Sequence, residues 1–254
     1  MRPSENASEM RDMWRYIHAR TIGRVVARLR GPVPDRTAEV QQFLRTAIAS
    51  RPVFSILQVG AYDGVSNDAL HDPIGEFDHV RAVLLEPQPG PFAKLQQRWE
   101  GSTRVFPIRA ALSDSTGERP LYVIADAFKH RHPFPDQVSS FYRSRVEIAC
   151  SRYAWRPSAD FITSVQVPTV DWRTLVHRYG RFDLVAIDAE GYDAEILEQI
   201  DMKNASPEIV LYEHALLPRR VQQRCEQLLR SNGYCVTRFN QNDTLATLSG
   251  SPGF

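Results

Sequence analysis

The sequence predicts an α/β protein built on an open, mainly parallel sheet with helices on both faces, and three stretches carry that prediction. In the first, four residues suited to a buried strand, Ile56, Leu57, Gln58 and Val59, run into Gly60 and Gly64, with Asp63 beside the second glycine. The second is Arg81 to Leu85, an apolar strand ending in Glu86 and Pro87. The third is Leu184 to Ile187, whose end presents Asp188 and Glu190 before Gly191. Apolar runs that do not alternate, separated by segments of helical period, mark strands covered on both faces.

Composition bounds the rest. A chain of 254 residues, 43% hydrophobic and 24% charged, is an ordinary globular protein: one domain of roughly 200 residues plus an extension. Basic and acidic residues number 31 and 30, a net charge of +1, so nothing global argues for a nucleic-acid partner. The three cysteines, Cys150, Cys225 and Cys235, lack C-x-x-C spacing and are odd in number. That excludes a zinc framework and a complete disulfide framework, and fits a cytoplasmic setting. No apolar run approaches the roughly 18 residues of a membrane span, and the first residues lack the continuous apolar core of a signal peptide.

In chain order, residues 1 to 36 carry eight arginines against four acids, an excess of 8 − 4 = +4. Met10, Met13, Trp14, Ile17, Ile22, Val25, Val26 and Leu29 recur at helical spacing, so this is a basic amphipathic helix. It docks on the main domain or on a second subunit, the alternatives being an anionic membrane surface and an Arg-rich transit peptide. Thr37 caps a second amphipathic helix ending before Pro52. Residues 1–50 are thus read as a helical extension and 51–254 as the main domain.

Within that domain, Pro91 to Trp99 reads as a helix, and Arg104 to Ile108 and Leu121 to Ile124 read as strands that continue the sheet in βαβαβ order. Residues 125–160 fit no regular period and mix aromatics with Lys129 and five arginines. They are read as a substrate lid suited to a sugar ring, a carboxylate or a phosphate. His130 and His132 lie there without acidic or cysteine neighbours and read as solvated. Beyond it come a strand at Ile162 to Val167, a helix capped by Asp171 and ended by Gly180, and a strand at Ile209 to Tyr212 delivering Glu213 and His214. A helix from Pro218 to Ser231 and a closing antiparallel hairpin, Tyr234 to Phe239 with Thr244 to Leu248, complete the chain.

These patterns place the chemistry. Glycine at a strand–helix junction permits positive φ and close approach of a ligand to the backbone, and the next helix offers free N–H groups. A carboxylate at the tip of the second strand is placed to accept hydrogen bonds from both ribose hydroxyls of a nucleoside. A dinucleotide-dependent oxidoreductase shares that carboxylate but requires G-x-G-x-x-G, which is absent.

The ordered motifs Val59-Gly-Ala61 with Asp63-Gly64, Leu85-Glu-Pro87, Ala111-Leu-Ser-Asp114 with Gly117, Val167-Pro-Thr-Val170 and Ile187-Asp-Ala-Glu-Gly191 resemble the FkbM family of S-adenosylmethionine-dependent methyltransferases. The resemblance runs from about Val53 to Leu248. It implies a class I methyltransferase fold, Rossmann-like, with seven strands of which the last is antiparallel. It also implies methyl transfer to a hydroxyl of a sugar, glycolipid or other small natural product. By position, Gln58, Gly60, Ala61, Asp63 and Gly64 would lie on the methionine and ribose side, and Glu86 with Pro87 would hold the ribose diol. Ala111, Leu112 and Ser113 would lie against adenine, and Asp188 and Glu190 would face the methyl group. Where the family often has an acid at the end of the first strand this chain has Gln58, an amide that can still hydrogen bond but cannot ion-pair with the cofactor's ammonium, so the resemblance implies lower affinity or compensation by Asp63.

Methyl transfer from sulfonium to oxygen is an in-line displacement in which alignment is worth roughly 7 to 11 kcal/mol and a positioned base about 10² to 10⁴ in rate. The candidates are Asp188, Glu190, Glu213 and His214: His214 or Asp188 as base, Glu190 orienting the acceptor. A divalent cation on the same cluster is the less favoured alternative. A non-catalytic binding module that keeps the fold without the cofactor is the remaining reading.

Overall fold

A computed structural model describes residues 33–66, 70–151 and 159–250. The basic helix anticipated within residues 1–36 falls mainly outside them. After helix α1 (Thr37–Ala49) the order is β1 (Phe54–Val59), α2 (His71–Glu76), β2 (Val80–Leu85), α3 (Pro89–Arg98) and β3 (Val105–Ile108). There follow β4 (Ala111–Leu112), β5 (Gly117–Ile124), β6 (Ser139–Ser140), α4 (Arg143–Ser151), β7 (Ile162–Val170), α5 (Trp172–Tyr179) and β8 (Leu184–Ile187). The chain closes with α6 (Asp193–Gln199), β9 (Ile209–Glu213), α7 (Arg219–Ser231), β10 (Tyr234–Arg238) and β11 (Asp243–Leu248).

Seven strands form the main sheet in the order β10-β11-β9-β8-β1-β2-β3, and only β11 runs against its neighbours. Alternate residues of the central strands enter two separate cores. Leu57, Val59, Val185 and Ile187 pack with Trp172, Ile196 and Leu229 of α5, α6 and α7. Ile56, Ala82, Leu84 and Leu184 pack with Leu44, Ile74 and Leu95 of α1, α2 and α3. This double burial is why these strands read as continuous apolar runs.

Three expectations are corrected here. The strand at Leu121–Ile124 does not continue the main sheet: β5 pairs antiparallel with β7 along its length, in a second sheet of order β4-β7-β5-β6. Its burial explains the difference, since the first four residues of β5 face solvent or are half-buried, whereas an inner strand of a doubly covered sheet is buried throughout. The boundary at residue 50 cuts through one core, because Val40, Leu44, Ala47 and Ile48 of α1 are buried with the sheet. Thr37 does not cap α1; Asp35 Oδ1 accepts from Thr37 N at 3.0 Å. At α5 the anticipated cap is present, Asp171 Oδ1 accepting from Thr174 N at 2.8 Å; the hydrogen bond from Thr116 Oγ1 at 2.6 Å, followed by this cap, holds its carboxyl down to about 2.

At the N-terminal edge of the sheet, opposite the carboxyl ends of the strands, Asp183 ties three segments together. Its carboxylate accepts from Ser55 N and Ser55 Oγ, each at 2.7 Å, and from Arg51 at 2.9 Å, while Arg51 also pairs with Glu208. Asp183→Ala is expected to cost about 1–3 kcal/mol, read as a lower urea midpoint, with no change in ligand affinity at the far edge.

Candidate active site

The carboxyl ends of β2, β1, β8 and β9 open on one cavity of about 910 Å³. Its floor is the β1 turn. Gly60 N and Ala61 N donate to Leu85 O at 3.0 and 2.9 Å, and Asp188 N donates to Val59 O at 3.0 Å, which locks the turn between its two neighbouring strands. Gly60 has φ +80°, and a Cβ there would sit 1.9 Å from the Asp188 carbonyl oxygen, so the approach of the two loops admits only glycine. Tyr62 and Glu190, both on the cavity wall, have φ of 49° and 50°, left-handed conformations that residues with a side chain seldom adopt.

Glu86 stands at the tip of β2, 4% exposed. Its two oxygens accept from Tyr62 N at 3.0 Å and Gln88 N at 2.8 Å, which leaves each oxygen a further lone pair. Burial, opposed by those two hydrogen bonds and reinforced by Asp188, pushes the carboxyl up to about 7. Gln88 also ties residues 136–139 to the cavity wall, its Nε2 donating to Asp136 O at 2.7 Å and Ser139 Oγ at 3.2 Å. Gln58 is 8% exposed, lines the cavity, and its Oε1 has no hydrogen-bond partner.

The structure gathers most of the anticipated residues and sends four of them, Asp63, Gly64, Ser113 and His214, elsewhere. Gln58, Gly60, Ala61, Glu86, Pro87, Ala111, Leu112, Asp188 and Glu190 line the cavity. Asp63 turns back to accept from Val65 N and Ser66 N at 3.1 and 2.8 Å, so it shapes the turn and does not compensate for Gln58. Gly64 is a packing glycine: a Cβ would meet Leu95 at 2.7 Å. Ser113 is fully buried and accepts from Arg119 at 2.6 Å. That Arg119 lies 4.4 Å over the Phe141 ring and 5.4 Å over Tyr192, so it braces two rings that line the cavity from outside it.

His214 does not line the cavity. It is 4% exposed, its Nδ1 lies 2.9 Å from Thr244 Oγ1, and burial with the nearby Arg238 charge lowers it to about 4. Glu213, the preceding residue, does line the cavity. Its carboxyl is pushed well above the ordinary range by burial and by Asp188, Asp193, Glu190 and Asp243. Asp193 holds the turn before α6: its wholly buried carboxyl accepts from Gly191 N at 3.1 Å and is raised to about 8 by burial and Asp188. Among the described residues no group of three or more His, Cys, Asp or Glu could hold a metal ion.

Over the described residues 125–151 the 125–160 segment is more regular than its sequence suggests, with two 3-10 turns, β6 and α4. Three of its described cations are engaged in the fold: Lys129 pairs with Asp126 and Asp136, Arg143 with Glu147, and Arg145 donates to Leu216 O. His130 is exposed as anticipated, but His132 is buried, its Nδ1 accepting from Phe134 N at 3.1 Å. Residues missed by the sequence reading, Tyr62, Gln88 and the hairpin turn Asn240 to Asp243, carry no motif. Tertiary folding alone brings them to the cavity.

The sheet order with its single antiparallel strand, and the ligand edge between β2, β1 and β8, define the class I methyltransferase fold. The methyltransferase FkbM domain model matches residues 58–236, and the chain belongs to that family of S-adenosylmethionine-dependent methyltransferases. No curated protein matches it in sequence. Among solved structures it is similar to the O-methyltransferase from Bacillus cereus in complex with S-adenosylhomocysteine, at 14% identity over 91% of this chain and 90% of that one, TM-score 0.44. It is also similar to the precorrin-6y C5,15-methyltransferase from Geobacter metallireducens (12%, 83% and 88%, 0.39) and to Aeropyrum pernix fibrillarin with natively bound S-adenosyl-L-methionine (14%, 77% and 67%, 0.37). The family assignment does not rest on these distant likenesses. It leaves the dinucleotide-dependent oxidoreductase without support.

Proposed function

We propose that this protein methylates a hydroxyl oxygen of a small neutral acceptor, a sugar, glycolipid or comparable natural product, with S-adenosylmethionine as donor. The observation that carries the reading is Glu86: a buried carboxylate at the tip of β2, held by two backbone N–H groups, with acceptor capacity left on both oxygens and facing the same cavity as the Gly60 turn. Glu86 would take the ribose hydroxyls, the partnerless Gln58 Oε1 would accept from the ammonium, and Ala111 and Leu112 would flank adenine. The bound donor supplies an electrophilic methyl on a sulfonium. Asp188 and Glu190 would order the acceptor near it.

The other half of the cavity supports a neutral acceptor. Thr37, Gln41, Asn240 and Asn242 offer amides and a hydroxyl, and among the described lining residues there are seven carboxylates and neither lysine nor arginine. An anionic acceptor or a nucleic-acid backbone meets repulsion there, so the phosphate and carboxylate acceptors that the arginines of the 125–160 segment suggested are not favoured. No helix among the described residues is long and apolar enough to cross a membrane. Cys150, Cys225 and Cys235 are unpaired, which suits a cytoplasmic setting.

Thermal unfolding with S-adenosylhomocysteine tests the reading. At a hundred times its dissociation constant the ligand adds about 2.7 kcal/mol of stability, seen as a higher Tm. The shift is expected in wild type and lost in Glu86→Ala. No shift in wild type at saturating ligand returns the chain to the non-catalytic binding module.

A further inference from the structure

We propose that Glu213 takes the proton of the acceptor hydroxyl, because it stands between Asp188 and Asp243 in a carboxylate-lined cavity whose charge balance the transfer itself changes. The proposal rests on the methyltransferase reading above. Strand register makes the argument. Ile187 is paired with Tyr212, so the next residues, Asp188 and Glu213, leave the sheet side by side, and on the other side Glu213 is paired directly with Asp243 of β11. Like charges opposed across an antiparallel ladder are destabilising, so this edge favours an uncharged Glu213. Its neighbours have other tasks: Asp193 holds the α6 turn, and Asp243 accepts from Asn240 Nδ2 at 3.0 Å. Glu213 Oε2 has no hydrogen-bond partner. In the same cavity the partnerless Oε1 of Gln58, on a side chain more than nine-tenths buried, marks it independently as a ligand site.

The groups that face Glu213 are Asp188 and Glu190 after β8, Asp193 at the start of α6, and Asp243 on β11, all of which raise its proton affinity. An incoming cation favours the ionised form of a nearby carboxyl. Glu213 therefore holds a proton in the free protein and gives it up when a sulfonium is bound. In the transfer the acceptor oxygen bonds to the methyl carbon and the carbon–sulfur bond breaks with its electron pair left on sulfur. The hydroxyl proton passes to the Glu213 carboxylate. A cation and a carboxylate become a neutral thioether and a neutral carboxylic acid, so the step that frees the proton also restores the affinity of Glu213 for it.

The test needs no acceptor. Calorimetric titration of S-adenosylmethionine and of S-adenosylhomocysteine, each in two buffers of different ionisation enthalpy at pH 8, counts the protons released on binding. Wild type is expected to release up to about one proton more with the sulfonium than with the thioether, since Glu86 meets the same ribose in both. In Glu213→Gln the two ligands should release equally with homocysteine-ligand affinity kept, and in Asp243→Asn the difference should shrink. Equal release in wild type overturns the proposal even if a variant fails to fold, as does a difference that survives in Glu213→Gln. Absence of binding by either ligand overturns the methyltransferase reading and this proposal with it.

Discussion

Gly60→Ala should be among the most damaging single substitutions in the molecule. The left-handed backbone at φ +80° costs a side chain about 1–2 kcal/mol. A Cβ placed 1.9 Å from the Asp188 carbonyl oxygen meets backbone, which no rotamer change relieves, and forcing the two loops apart adds about 1–3 kcal/mol. The loops carry Ala61, Tyr62, Asp188 and Glu190, so the separation also spoils the cavity wall. The expected result is a lower urea midpoint with m unchanged, together with loss of S-adenosylhomocysteine binding. Gly90→Ala is the control. In α3, where an added Cβ meets nothing, alanine should be neutral or stabilising by up to about 1 kcal/mol. Equal midpoints for the two variants would show that the close approach does not constrain the fold.

The second large effect concerns pH. Burial raises Glu86 to about 7, and in the role proposed for it, taking a ribose diol, it must be a carboxylate that accepts on both oxygens. Below pH 7 the ligand must first displace a proton, so the Kd for S-adenosylhomocysteine should rise toward about tenfold per pH unit between 7 and 5.5, and level off above 7.5. Stability of the free protein runs the other way. The native state binds a proton that the unfolded chain, with an ordinary carboxyl near 4.5, has lost, so this group's contribution to stability falls as pH rises from about 4.5 to 7. Glu86→Gln cannot change charge. It should lose about 10² or more in affinity at pH 8, from hydrogen bonds to a charged group worth about 1.5–3 kcal/mol each, and its affinity should be far flatter with pH. A wild-type slope retained in the variant would assign the titration to another group.

Legibility in the sequence followed from what each signal depends on. The β1 turn, the acid after β2 and the acids after β8 were readable because each is local: a doubly buried strand must be apolar throughout, and the residues just past it must lie at the ligand edge. β5 was misplaced because an apolar run of four residues looks the same in either sheet, and only the polar half of the strand, Gly117 to Pro120, shows that it is covered on one face. The regular turns and helix within 125–160 were hidden because arginines and aromatics that pair within the fold carry the same letters as residues that meet a ligand.

His214 shows the limit most directly. By type it is the better base near neutral pH, and it directly follows the last residue of β9. Neighbouring residues at a strand end project differently, and here Glu213 faces the cavity while His214 is buried against Thr244 and loses its basicity. The sequence by itself determined a parallel α/β sheet, the glycine turn at Gly60, and Glu86 and Asp188 at its carboxyl edge, since backbone sterics and strand burial act within a few residues. Only the tertiary structure decided which acid faces the cavity and how strongly it holds its proton, because that depends on Asp188, Asp193 and Asp243, which the fold brings to Glu213 from two separate stretches of the chain.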